Sequence, residues 1–83
     1  MTKRLGFVGI IIENRKEKAP KVNEILSGHS DLIYARMGLP YRDRNCSVIT
    51  LIVNVTTDEI GSLTGKLGKL QGVSVKSALI KKT

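Results

Sequence analysis

Apolar and polar residues alternate with a period of two in four segments of this chain, and between them two segments carry the three-to-four spacing of an amphipathic helix. Residues 4–13 (RLGFVGIIIE) read as a strand, with Leu5, Phe7 and Ile11 on one side and Val8, Ile10 and Ile12 on the other. Both sides are apolar, which predicts a central place in a sheet. Residues 14–18 read as a polar loop, and Pro20 as the first turn of a helix, where its missing donor costs nothing. Val22, Ile25, Leu26 and His29 follow at helical spacing, with a stop at Gly28. Residues 32–41 (LIYARMGLPY) predict a second strand, which Gly38 and Pro40 confine to an edge. A turn over residues 42–45 leads to a third strand, Cys46–Val55, where Ile49, Leu51, Val53 and Val55 oppose Val48 and Ile52. This strand too is expected in the middle of the sheet. Thr56 and Glu59 have the spacing of a capping box, and Asp58 adds a carboxylate at the positive end of the helix dipole. Ile60, Leu63, Leu67 and Leu70 then form a core stripe, and Gly72 reads as the helix exit. In the last strand, residues 73–80, Val73, Val75 and Leu79 alternate with Ser74 and Lys76, which fits the other edge.

Strand, helix, strand, strand, helix, strand is the order of a split βαβ repeat. The predicted fold is therefore α+β and ferredoxin-like: a single domain over residues 1–83, with a four-stranded antiparallel sheet and two helices on one face. Helices on one face leave the apolar residues of the other uncovered, and the economical cover is a second copy of the chain. A homo-oligomer, dimer or tetramer, is expected, built through the bare sheet face, a sheet edge, or both. A chain of this size buries only about 60–65% of the surface it exposes when unfolded, so its stability margin is thin.

One cysteine, Cys46, allows no internal disulfide, and the chain shows no secretory leader pattern, so a cytoplasmic location is expected. The longest apolar run, residues 7–12, is far below the roughly 18 residues of a membrane span, and a soluble protein is expected. The net charge of +7 invites a nucleic-acid reading, since clustered lysine and arginine release counterions from phosphates. The charge is spread, however: Lys3 and Arg4 open the chain, four basic residues lie within residues 15–21, Arg42 and Arg44 flank Asp43, and Lys81 and Lys82 close it. Phe7, Tyr34 and Tyr41 are too few and scattered for a base-stacking platform. Direct nucleic-acid binding is thus the second reading, behind a regulatory module.

Three motifs carry more than fold. Gly61, Gly65 and Gly68 lie within the second helix, each costing about 1 kcal/mol relative to alanine. They read either as a smooth strip for close approach of a neighbouring subunit or as a weak helix held by its leucine face. The string GSLTGK, residues 61–66, has one residue too few between its glycines for a phosphate-binding loop, and Leu67 stands where a hydroxyl would hold magnesium. ARMGLPYRDR, residues 35–44, couples an unusual edge strand to a turn whose Arg42 and Arg44 can receive an anion, against the plainer reading of a solvated hairpin tip. The residues singled out for an anionic effector, or for a protein partner, are Asn14, Arg15, Arg36, Met37, Gly38 and Arg42. One histidine, His29, and one cysteine, Cys46, make neither a metal site nor an acid and base pair within one chain. No catalytic residues, metal or cofactor are predicted, and an enzyme is not expected.

RLGFVGIIIEN, ARMGLPYRDR and DEIGSLTGKLGKLQGVSVKSAL together resemble the small ACT-like proteins assigned as regulators of the iron-only hydrogenase system, over nearly the whole length. The resemblance implies an ACT-like, ferredoxin-like fold and a regulatory role. A more distant similarity runs to the C-terminal nickel-binding domain of the nickel-responsive repressor. His29 and Cys46 resemble the first and last of the nickel ligands there, but the histidine pair between them falls near Gly38 and Pro40, neither of which can ligate through a side chain. The DNA-binding arm of such repressors has no counterpart in these residues, so an effect on transcription would act through a partner.

Overall fold

The computed structural model describes residues 2–81; Lys82, counted with the basic C-terminal pair, lies outside the described residues. Four strands, β1 (Arg4–Ile12), β2 (Ile33–Tyr41), β3 (Cys46–Val55) and β4 (Val73–Leu79), and two helices, α1 (Arg15–Gly28) and α2 (Thr57–Gly68), follow in the predicted order. The sheet is antiparallel throughout, in the order β2-β3-β1-β4, so the two strands with apolar residues on both sides are the central ones.

The alternation within β1 and β3 decides where the core sits. Val8, Ile10 and Ile12 of β1 and Ile49, Leu51, Val53 and Val55 of β3 are buried on the helix side, joined by Val22 and Leu26 of α1 and by Ile60, Leu63 and Leu67 of α2. Leu70 packs at the margin of this cluster. Thr56 forms the expected capping box: the Glu59 amide donates to its hydroxyl at 3.1 Å, and its own amide donates to the Glu59 carboxylate at 2.8 Å. Gly6 is required within the chain, because a Cβ there would run into the Ala78 carbonyl and the Leu79 side chain.

Among the described residues no element covers the opposite face of the sheet. Leu5, Phe7 and Ile11 of β1, Val48 and Ile52 of β3, and Met37, Leu39 and Tyr41 of β2 are exposed there, Phe7 by 50% and Met37 by 76%. Between Ile33 and Ala35 the pairing of β2 with β3 shifts by one residue, a bulge that leaves Tyr34 unpaired on the edge.

Two local expectations are corrected. Helix α1 begins at Arg15 rather than near Pro20, so residues 15–18 are its first turn and not a loop. Asn14 enters with left-handed backbone (φ 51°), and its carbonyl accepts from the Glu17 and Lys18 amides, both at 3.1 Å. Pro20 is consequently the sixth helical residue, where it leaves the Lys16 carbonyl without an intrahelical donor at an exposed turn. Likewise α2 ends at Gly68, four residues before Gly72. Gly72 instead carries the turn into β4 at φ +81°, with its carbonyl accepting from the Glu13 amide at 2.8 Å.

Replacing Thr56 with alanine should cost about 1 kcal/mol and lower the melting temperature by roughly 4–8 °C in a domain this small. The Thr56 amide holds the Glu59 carboxyl below its ordinary range, with Lys3 adding a smaller effect. A lowered carboxyl contributes its stability above the unfolded value and loses it as pH falls through the folded one. Urea denaturation from pH 7 down to pH 3 should therefore show a loss of stability that is shallower in Glu59→Gln. Gly6→Ala should cost about 1–3 kcal/mol by overpacking; an unchanged urea midpoint would contradict the close approach of β4.

Candidate functional site

Two asparagines in left-handed backbone, Asn14 (φ 51°) before α1 and Asn45 (φ 49°) before β3, bring distant parts of the chain together. The Asn45 side-chain amide donates to the Asn14 side-chain oxygen at 3.2 Å, and the Arg15 amide donates to the Asn45 carbonyl at 2.9 Å. Asn14 also donates to the Glu17 carboxylate at 2.8 Å. Asparagine tolerates positive φ better than other side chains, and here its amide also supplies the cross-link. The turn of Arg42–Arg44 is thereby fixed against the first turn of α1.

At this junction Arg15, Lys16, Arg42 and Asn45 line an open cavity of about 340 Å³. Arg15 and Lys16 also border a second hollow along α1, with Ala19, Pro20 and Asn23. The ion pairs among the described residues are Lys3 with Glu59 and Lys18 with Glu17, so Arg15, Lys16, Arg42 and Arg44 face solvent without a carboxylate partner there. Three uncompensated cations around one cavity, beside the positive end of a 14-residue helix, form a field that favours an anion. Arginine can hold a carboxylate or phosphate through two parallel hydrogen bonds.

Of the residues expected at an effector site, Asn14, Arg15 and Arg42 meet here. Arg36, Met37 and Gly38 do not: they lie further along β2. The Arg36 guanidinium donates to the Asn23 side chain at 2.6 Å, tying β2 to α1. Met37 projects from the bare face, and Gly38 sits on the helix side beside Ile49. Lys16 and Asn45 were not among the expected residues. Their signal is the Asn14 and Asn45 pair, one asparagine at the end of each strand-to-turn transition.

Gly61, Gly65 and Gly68 lie on the exposed side of α2, and a Cβ at any of them would meet nothing within 4 Å. They are therefore on the opposite side of the molecule from the bare sheet face, and one two-fold interface cannot use both. His29 and Cys46 flank opposite ends of β2, which at nine residues spans roughly 25–30 Å. The His29 Nε2 atom lies 3.2 Å from the Lys66 ammonium; since the ammonium only donates, Nε2 accepts and links α1 to α2. Cys46 is half-buried at the rim of a hollow with Ile11, Glu13, Asn14 and Arg44. Among the described residues no three histidine, cysteine, aspartate or glutamate side chains come close enough to hold a metal ion, and no helix is long and apolar enough to cross a membrane.

Among solved structures, uncharacterized protein TM1266 from Thermotoga maritima is similar over 95% of this chain and 99% of its own, with 39% identity and a TM-score of 0.90. The ACT domain from the GTP pyrophosphokinase of Chlorobium tepidum covers 93% of this chain and 100% of its own, at 24% identity and a TM-score of 0.77. CPII from Thiomonas intermedia K12, a nitrogen regulatory PII-like protein solved with ADP, AMP and acetate, or bicarbonate, shares the fold at 14% identity. In the complex with ADP, AMP and acetate the match covers 99% of this chain and 93% of that one, with a TM-score of 0.53. No curated protein sequence matches the chain. The ferredoxin-like fold is thus shared with ACT domains, as its sequence pattern predicts. Since residues 4–77 match the TM1266-like family model, and the Thermotoga structure agrees along nearly the full chain, the protein belongs to that family, assigned as regulators of the iron-only hydrogenase system.

Proposed function

We propose that the protein is an oligomeric regulatory module that binds a small anionic effector in the cavity formed by Arg15, Lys16, Arg42 and Asn45. The observation that carries this reading is the convergence on one cavity of three cations without carboxylate partners among the described residues, at a junction cross-linked by the two asparagines. An anion there would bridge the first turn of α1 and the turn of Arg42–Arg44, and so report on how those two segments sit. The regulatory assignment of the family and the ACT-like fold support a sensing role rather than a catalytic one. CPII, with the same fold, is bound to ADP, AMP and acetate in its structure, and nucleotides and small carboxylates are therefore the first ligands to test here.

Thermal-shift measurements with nucleotides, amino acids, small carboxylates and metal ions test the proposal. A ligand at 100 times its Kd should stabilise the protein by about 2.7 kcal/mol, a rise of roughly 10–20 °C in a domain this small. Arg42→Ala and Arg15→Ala should each weaken that ligand at least tenfold, whereas Arg36→Ala, whose side chain is engaged by Asn23, should leave its affinity within a factor of about two. A flat response across the panel would overturn effector binding. Direct nucleic-acid binding uses the same cations and makes a different prediction: duplex or RNA retention in a low-salt gel that is lost steeply with added salt and on replacing Arg42 and Arg44.

A further inference from the structure

We infer that the uncovered face of the sheet is buried against the same face of a second copy of this chain, with Gly9 at the closest approach. This rests on the oligomeric part of the proposed function and assigns the surface that makes it.

Gly9 is the anomaly that points there. It lies in the middle of the central strand β1, paired with Thr50 on one side and Lys76 on the other, and its missing side chain would point out of the bare face, since Val8 and Ile10 point inward. Glycine inside a strand is destabilising and marks a bulge, a bend, or close approach of another backbone or ligand. The pairing of β1 is regular at Gly9, its φ is not positive, and an added Cβ would meet nothing closer than the Lys76 carbonyl at 3.8 Å. Unlike Gly6, nothing among the described residues requires it. Its absence leaves a notch between Phe7 and Ile11, into which a side chain of an opposing sheet can seat.

The size and chemistry of the face fit a second copy. Eight large apolar side chains lie on it at about half exposure, on the order of 800 Å² per chain, which is what each partner contributes to a standard stable interface. Lys76 is the only charged residue at its paired positions, and it sits on the edge strand β4, where it can reach the rim. An apolar patch with a notch and adjoining ridges is complementary to itself about a two-fold axis. The edges fit pairing poorly: β2 carries the bulge at Tyr34 and Pro40, which lacks a donor, and β4 bears Lys76.

Sedimentation velocity on the full chain at about 10 µM tests this, with circular dichroism to confirm folding. Wild type should sediment as a dimer or a multiple of one. Gly9→Val fills the notch with a residue that favours strands, so it should keep the fold while raising the dissociation constant at least tenfold. Thr50→Arg, at an exposed position beside the notch, should do the same and decides the matter if Gly9→Val does not fold. A monomeric wild type would overturn both this inference and the oligomeric reading, leaving the face to some other partner. An oligomeric wild type whose folded variants associate unchanged would overturn only the assignment to this face.

Discussion

A two-layer fold can bury one face of a four-stranded sheet, and that constraint governs the rest of this molecule. The central strands β1 and β3 commit Val8, Ile10, Leu51 and Val53 to the helix side, where α1 and α2 exclude water from them. Because side chains alternate, the same strands must present Phe7, Ile11, Val48 and Ile52 on the other side. A register slip of one residue would exchange the two sets. Both are apolar, so hydrophobic pattern alone does not choose between them; the side that α2 covers is settled by where its capped start and leucine stripe hold it.

The basic junction depends on this core only indirectly. Its geometry comes from hydrogen bonds between backbone and asparagine side chains at the ends of elements, where few apolar contacts help. This division fits the effector binding proposed for the junction. The sheet supplies a rigid frame, while the first turn of α1 and the turn of Arg42–Arg44 are held by a few polar contacts whose balance a bound charge can alter.

The sequence made the element order, the central strands, the bare face and the capping box legible because each rests on local periodicity or on a pair of residues three apart. Pro20 misled the start of α1: a proline is most at home in the first turn, and the left-handed Asn14 that actually opens the helix has no periodic signature. Gly72 misled its end for α2 for a similar reason, since a positive φ serves a turn as well as a helix exit. Arg15 and Arg42 could be named from their charge, but that they share a cavity with Lys16 and Asn45 depends on a cross-link between residues far apart in the chain. Arg36 carried the same charge signal, yet its partner is Asn23, and spacing along β2 gave no warning of that.

The capture of β1 between β3 and β4 also bears on how the chain reaches this state. Gly6 pairs with Leu79 and Arg4 with Val55, so β1 waits for β4, which follows it in the chain, before its hydrogen bonds are complete. Contacts so distant along the chain make folding slower than that of helical bundles of similar size. Until β4 arrives, β1 has an open edge as well as an open face, and its fate is decided by competition between β4 and neighbouring chains.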